Sequence, residues 1–435
     1  MSGDWPVSQH PRECKASPSR LSNRDQMRVG IFNVKYSPNL GDGLLSECLE
    51  SELVRNNPGL TIESFDLAGR GNYASGGRYR EAALGFLQSS PAMVRQSLAS
   101  IILRQTLRQI VPVWRKRLAS IDVAVAGGGN LFSDADLNFP LKIDAACKLL
   151  RDAGIPVSVF AVGVSDNWSQ KGEALFHRAF AGTRLLEASV RDTRSADVWN
   201  RRLGRCGVPS ARVVHDPGLL VAAHVPQIRM ERTTPRIGLG LTNPITLRYH
   251  ADEQAIREAD LTSWYVELVR GCLARGWQVN VFTNGSSEDD AYLARIRPAL
   301  AAAAPSGDES QIAFSPRFRR PSELAAHISG LDLLMAHRLH ANIAAYSYAV
   351  PHIGFTWDAK VKSFFGGVGR EKYLCTAGLE TPSTVLALAE RCLQEGIDPA
   401  RHARIVAEAR ADVATLATVL RTSCGRMSVP LGAPS

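Results

Sequence analysis

The chain has 435 residues, of which 45% are hydrophobic and 21% are charged, and its formal net charge at pH 7 is +9. These values are typical of a soluble globular protein that is too long for one core, so two domains are expected. The basic balance favours acidic partners such as phosphorylated substrates or anionic lipid headgroups, and no RRM, zinc-finger or homeodomain pattern supports nucleic acid as a partner.

The cysteine spacing and the composition of the N-terminal residues indicate the cellular compartment. Eight cysteines are scattered without a C-x-x-C pair, which argues against a zinc site or a disulfide scaffold and favours a reducing cytosol. Residues 1–26 are polar and rich in Pro and Ser, which predicts a disordered leader rather than a secretory signal. No apolar run approaches the roughly 18 residues that span a bilayer. The predicted location is therefore the cytoplasm.

The first predicted elements form a β-α-β unit. A strand over Arg28–Phe32 leads into a turn-rich loop, a helix from Gly43 to about Asn56, and a second strand. Asn39, Gly41 and Asp42 lie in that loop. Asp42 could cap the helix or act as a general base towards a sugar hydroxyl, and both interpretations stay open.

A basic segment follows the second strand. Residues 68–90 are predicted to be a loop, and residues 92–118 an apolar and basic helix. Such a helix can lie on an anionic membrane surface, which would make the protein peripheral to the inner membrane face. Alternatively, it is a domain helix with a solvated basic face.

The next buried strand ends in a run of glycines. Val123–Ala126 leads into Gly127, Gly128, Gly129 and Asn130. Bare backbone amides at such a turn can form an anion-binding nest. The spacing fits neither the G-x-G-x-x-G dinucleotide fingerprint nor the P-loop.

Strands and helices alternate through the rest of the chain, so the predicted fold class is α/β, with two doubly wound parallel-sheet domains facing a cleft. The predicted domains are residues 27–222 and 235–380, followed by helices over 381–424 and a tail over 425–435. Arg191 ends one of these strands. It either forms a surface ion pair with Asp192 or points a guanidinium into the cleft.

The most informative segment follows a strand predicted over Leu331–Met335. His337, Arg338, Leu339 and His340 lie between that strand and the next helix, where open α/β sheets bind ligands. A guanidinium beside helix N-terminal amides suits a small dianion such as phosphate. The alternative is a surface arginine with two helix-capping histidines.

Lys360 follows the last predicted strand. It could bind a phosphate or carboxylate as a point charge, or it could be a solvent-exposed loop lysine. No H-E-x-x-H motif, Cys/His cluster, EF-hand loop or G-x-S-x-G elbow is present in the sequence, so no metal, no cofactor and no hydrolase of that type is predicted.

Taken together, these motifs resemble the polysaccharide pyruvyl transferase family. The chain departs from the family pattern in its basic segment 68–118 and in the residues after Gly163, which lack a further glycine. The matching segments, in chain order, are residues 39–42, 126–132, 161–163, 190–195, 215–217, 338–340, 350–351 and 358–360.

The resemblance implies a fold similar to GT-B glycosyltransferases, phosphoenolpyruvate as donor, and a sugar acceptor that is lipid-linked, nucleotide-linked or free. The product would be a pyruvate ketal of an exopolysaccharide or cell-surface glycan. The resemblance assigns donor binding to Arg338 and Arg191. His340 is the candidate general acid, and Asp42 is the weaker candidate for the general base. The remaining predicted substrate-binding residues are Asn39, Gly41, Gly127, Gly128, Gly129, Asn130, His337, Leu339 and Lys360.

Two other functions compete with this interpretation. A GT-B glycosyltransferase that uses a nucleotide sugar would share the architecture but would usually place an acidic residue against the ribose. A non-catalytic scaffold of polysaccharide assembly would keep the fold without the chemistry.

Overall fold

The computed structural model describes residues 26–73, 92–228, 232–244, 258–304, 311–356, 358–377 and 380–425. It contains two six-stranded sheets in which every strand pairing is parallel. The predicted fold class is therefore confirmed. The predicted leader up to residue 25 and the tail from residue 426 lie outside the described residues.

The N-terminal sheet has the strand order β2-β1-β3-β4-β5-β6, with the order reversing between β1 and β3. Strands β3 and β4 are buried along their whole length, as expected for parallel strands covered by helices on both faces. Its strands are β1 (Arg28–Asn33), β2 (Thr61–Asp66), β3 (Val123–Gly127), β4 (Val157–Val162), β5 (Leu185–Val190) and β6 (Arg212–Val213). Its helices are α1 (Leu40–Asn56), α2 (Ala92–Leu118), α3 (Asn138–Asp152), α4 (Gln170–Phe180) and α5 (Thr193–Leu203).

The C-terminal sheet has the order β12-β11-β10-β7-β8-β9, with the reversal between β10 and β7. Its strands are β7 (Arg236–Gly240), β8 (Gln278–Phe282), β9 (Ile312–Phe314), β10 (Leu333–Ala336), β11 (His352–Phe355) and β12 (Leu374–Cys375). Its helices are α6 (Glu258–Ala274), α7 (Ser287–Ala301), α8 (Pro321–Ser329), α9 (Leu339–Ser347), α10 (Ala359–Gly367) and α11 (Pro382–Glu395).

The last helix, α12 (Pro399–Gly425), returns to the N-terminal domain. Asp412 on this helix accepts bonds from the His215 backbone (2.9 Å) and from Arg212 (2.8 Å), which lie at β6. The segment between the domains, Pro217–Ala223, is a largely buried 3₁₀ turn that packs on both α1 and α9. The two domains are thus joined by packed contacts as well as by the linker.

Several predicted boundaries shift. Helix α1 begins at Leu40 rather than Gly43, so Asp42 lies in its first turn and Asn39 precedes it. Residues 92–118 form α2, which lies in the crossover between β2 and β3. Within the described residues, no helix is both long enough and apolar enough to cross a membrane.

Candidate active site between the two domains

Two helix N-termini, one from each domain, meet at the cleft. A Cβ atom on Gly41 of α1 would lie 2.5 Å from the His340 Cβ of α9, far closer than carbon atoms normally approach. The glycine therefore allows the two first turns to touch. As a result, His340 Nδ1 lies 3.7 Å from Asp42 Oδ1, which places one titratable group from each domain side by side.

The surroundings of this pair set its protonation. Burial, followed by the charges of Arg191, Lys360 and Arg338, lowers the pKa of His340 to about 3. Its buried Nε2 finds no hydrogen-bond partner among the residues that the structure describes. Burial raises the pKa of Asp42, and this effect is partly offset by a hydrogen bond from Ser37. His340 is therefore neutral near pH 7, and the Asp42 carboxylate is more basic than a solvated one.

Arg191 is the least satisfied cation of the site. Its side chain is 5% exposed, and its Nε and Nη2 lack hydrogen-bond partners in the described part of the chain. Its Nη1 lies 3.9 Å from Asp216 Oδ2, and its Nε lies 3.9 Å from Asp192, both too far for a hydrogen bond. Asp192 instead caps α5 by accepting the Ser195 amide at 2.7 Å. A buried guanidinium in this state is suited to an anionic ligand.

Arg191 lines an open cleft between the domains. Lys360 lines the opposite side and is held by Asp358, whose carboxylate lies 3.0 Å from its Nζ. The two predicted cations are thus brought to one cavity. The lining residues are Arg191, Asp192, His215, Asp216, Leu219, Leu339, Ile343, Lys360, Ser363, Phe364, Gly367 and Val368.

The run Gly127 to Gly129, which follows β3, contributes to the packing of α1. Gly128 and Gly129 adopt left-handed conformations, with φ of 75° and 74°, and a Cβ on Gly128 would collide with Leu45 of α1. The Gly128 amide donates to the Phe160 carbonyl at 3.0 Å, so this one amide is already engaged within the sheet. The close contact of Gly128 with Leu45 also holds α1 close to the sheet.

Asn130 lies beside the Arg191 guanidinium. A Cβ on Gly163 would be 2.6 Å from both Arg191 Nη2 and Asn130 Oδ1, so only glycine leaves room for these two groups. Asn130 Nδ2 donates to Ser165 Oγ at 3.0 Å, which fixes the amide with its oxygen towards the arginine. The family-like motifs around residues 130 and 163 therefore shape the arginine's environment.

Arg338 is bound by its own domain. Its Nε and Nη2 donate to Asp289 Oδ2 at 3.0 and 2.5 Å, and Nη2 also contacts Ser286 at 3.4 Å. The other Asp289 oxygen accepts the Asn243 amide at 2.8 Å. The expected guanidinium is therefore present at the carboxyl end of β10. Two of its three nitrogens, however, are used in hydrogen bonds to Asp289 and Ser286, which hold the start of α9 against the start of α7.

The remaining predicted residues divide between the cleft and the core. Leu339 lines the cleft, and Asn39 precedes α1 with a buried Oδ1 that has no partner among the described residues. His337 points into the core instead. Its Nδ1 lies 3.1 Å from the Tyr265 hydroxyl and its ring packs on Phe355, so the prediction that His337 contacts substrate is corrected.

Sequence reasoning missed Asp216, His215 and Ser363. Asp216 is buried beside Arg191, and His215 lines the cleft while its Nδ1 contacts Asp412 at 3.1 Å. The signal was available, because His215 and Asp216 belong to the family-like segment 215–217. No group of three His, Cys, Asp or Glu side chains suited to a metal ion occurs among the described residues.

Comparisons with known proteins agree with this architecture. The family model for polysaccharide pyruvyl transferase matches residues 39–359. No curated protein sequence matches the chain significantly.

Among solved structures, a proposed UDP-N-acetylglucosamine 2-epimerase from Listeria monocytogenes aligns with a TM-score of 0.53 at 9% identity, over 94% of this chain and 100% of that one. The α,α-trehalose 6-phosphate synthase from Burkholderia multivorans aligns with a TM-score of 0.50 at 11% identity, over 94% of this chain and 99% of that one. These likenesses show a GT-B-like fold.

Proposed function

The chain belongs to the polysaccharide pyruvyl transferase family, and we propose that it moves the pyruvyl group of phosphoenolpyruvate onto two hydroxyls of one sugar, forming a pyruvate ketal in the synthesis of an exopolysaccharide or cell-surface glycan. The observation that carries this proposal is the buried Arg191 guanidinium, whose Nε and Nη2 have no partner among the described residues and which lies across the cleft from Lys360.

The donor's charges match the cations of the site. Phosphoenolpyruvate has a carboxylate and a phosphate, together carrying about three negative charges at neutral pH. Arg191 can bind one of these groups through two nitrogens, and Lys360 can bind the other as a point charge. Arg338 adds its positive charge near His340, whose pKa it helps to lower. The N-terminal amides of α9 favour an anion there, whereas the Lys360 and Val361 amides of α10 are already capped by Asp358 at 3.1 and 3.2 Å.

The His340 and Asp42 pair supplies the proton transfers. Burial is the main cause of the low pKa of His340, and the charges of Arg191, Lys360 and Arg338 add to it; the donor's negative charge offsets those three charges and so raises the pKa of this imidazole towards its usual value. Protonated His340 then donates that proton to the vinyl carbon while a sugar hydroxyl attacks the adjacent carbon and gives its proton to Asp42. The second hydroxyl then attacks the same carbon and gives its proton to the now neutral His340, while the carbon–oxygen bond to phosphate breaks and the leaving phosphate takes the proton held by Asp42.

The acceptor binds beside the His340 and Asp42 pair. Asp42 belongs to α1 of the N-terminal domain and His340 to α9 of the C-terminal domain, and their side chains lie 3.7 Å apart, so the reacting hydroxyl must sit where the two domains meet. The acceptor is a sugar with two neighbouring hydroxyls within reach of one carbon atom. Both lipid-linked and nucleotide-linked sugars satisfy this requirement.

Calorimetric binding of phosphoenolpyruvate to wild-type protein and to Arg191→Gln tests the donor site. Each charge-assisted hydrogen bond contributes about 1.5–3 kcal/mol, so losing two should raise Kd at least about 100-fold. Arg201→Gln is the matched control, since Arg201 is 56% exposed and pairs with Asp166 on the surface. Equal donor affinity in Arg191→Gln, or tight binding of UDP with none of phosphoenolpyruvate, would overturn the proposal and favour a nucleotide-sugar enzyme.

A further inference from the structure

The outer face of α2 exposes large apolar side chains that nothing in the described part of the chain covers. Ile101, Ile102 and Val113 are 64%, 53% and 55% exposed. These three residues are half of the strongly exposed large hydrophobic side chains in the described part of the chain. Arg104 and Arg108 lie on the same exposed side, and neither makes an ion pair with any described residue. We call these five residues the α2 outer face.

The charge around this face has one sign. Residues 82–121 contain six Lys or Arg residues and no Asp or Glu. Two of these positive charges, near the C-terminal end of α2, are partly neutralised by acidic side chains. Arg117 forms an ion pair with Glu63 at 2.5 Å, and Arg115 interacts electrostatically with Asp152 of α3. The uncompensated positive charge is therefore beside the exposed isoleucines, in the N-terminal half of the described helix.

The opposite face of α2 holds the helix in place. Trp114 packs edge-on against Phe32 at 5.6 Å, and Leu107 and Leu118 are buried. The outer face is consequently a fixed feature of the domain rather than the side of a loose segment.

The location of α2 relates this face to the cleft. Ile110 packs over Gly69, in the turn that follows β2 at the carboxyl edge of the sheet, and Arg117 reaches back to the middle of β2. The helix therefore runs antiparallel to the strands. Ile101 and Ile102 precede Ile110 by two turns or more, which places them about 12 Å beyond that edge, on the side where the cleft opens.

We propose that the α2 outer face docks on an anionic lipid bilayer, with the two isoleucines inserted at the headgroup level and Arg104 and Arg108 against the lipid charges. Exposed apolar and basic side chains on one rigid helix face are the combination that binds such a surface. A solvated helix face does not need the isoleucines, and a nucleic-acid surface would not favour them. This inference does not rest on the proposed function, since these side chains lie outside the cleft.

Co-sedimentation with vesicles tests the inference. We expect the wild-type chain to sediment with vesicles of phosphatidylcholine and phosphatidylglycerol in equal parts, but not with phosphatidylcholine alone, and to be released by added salt. Arg104→Gln/Arg108→Gln should weaken binding about 25-fold, at about fivefold per arginine. Ile101→Ser/Ile102→Ser should weaken it while leaving the salt dependence in place.

Two controls make the outcome specific. Arg201→Gln/Arg205→Gln removes two exposed arginines from another part of the same domain, and Ile228→Ser removes an exposed apolar side chain elsewhere. Both should sediment like wild type, and all variants should keep the wild-type unfolding temperature and affinity for phosphoenolpyruvate. Failure to sediment with the anionic vesicles at low salt, unchanged binding in both face variants, or tighter binding to a duplex DNA fragment than to vesicles would overturn the inference.

Discussion

Substitution of Gly41 by alanine isolates the contact between the two domains. The added methyl group would lie 2.5 Å from His340 Cβ and 2.7 Å from His340 Nδ1. The His340 Cβ is fixed by the first turn of α9, so the clash cannot be relieved by rotating a flexible side chain. Because carbon atoms in contact normally lie about 3.5–4.0 Å apart, the two helix ends must separate by about 1 Å.

Stability and activity should respond differently to this separation. Overpacking of this kind costs about 1–3 kcal/mol, and the gain from replacing glycine by alanine within a helix offsets up to about 1 kcal/mol. The free energy of unfolding should therefore fall by between about 0 and 3 kcal/mol. A displacement of about 1 Å between catalytic groups costs about 100-fold in rate, so kcat should fall by that order.

The assay is steady-state phosphate release from phosphoenolpyruvate beside calorimetric donor binding. We expect kcat of Gly41→Ala to fall about 100-fold while the donor Kd changes by less than tenfold, because both donor-binding side chains, Arg191 and Lys360, are retained and anion binding is less sensitive to a displacement of about 1 Å than proton transfer is. Gly204→Ala is the matched control, since no described atom lies within 4 Å of the position of its Cβ. A kcat within threefold of wild type would refute the role assigned to the His340 and Asp42 contact.

The remaining predictions concern protonation. Donor binding should raise the pKa of His340 and should therefore be accompanied by a partial proton uptake that grows as the pH is lowered, measured as a binding enthalpy that depends on the ionisation heat of the buffer. His340→Asn should lose both this uptake and turnover but keep donor binding, and loss of binding alone would place His340 in the anion site. Burial lowers the pKa values of His337, His340 and His352 to about 3. These imidazoles bind protons below about pH 6.5 in the unfolded chain but only near pH 3 in the folded chain, so the free energy of unfolding should decline as the pH falls through that window. The expected loss at pH 5 is about 2 kcal/mol per histidine, measured by urea unfolding. Equal free energies of unfolding at pH 7 and pH 5 would contradict this prediction.

Local sequence pattern was sufficient to predict the elements that carry the site. Apolar runs ending in polar residues marked the strand ends before Arg191 and Arg338, and in parallel sheets such ends share one edge. The predicted two-sheet α/β class is confirmed for the same reason, since alternating strands and helices permit few other architectures.

Partners distant along the chain could not be predicted in this way. Asp289, which binds Arg338, is 49 residues away from it, and the pairing depends on how the β7–β10 switch brings α7 beside α9. His337 and His340 looked equivalent in sequence, but one belongs to the end of a strand that points into the core and the other to the first turn of a helix. The return of α12 to the N-terminal domain depends on tertiary packing that no local pattern encodes.

The most direct measurement is phosphate release from phosphoenolpyruvate in the presence of lipid-linked and nucleotide-linked sugars, with mass spectrometry of the products, for wild type beside Arg191→Gln. We expect release that depends on one class of acceptor, a product carrying a pyruvate ketal, and loss of both in the variant. Transfer of a sugar from a nucleotide sugar with no consumption of phosphoenolpyruvate would contradict the account.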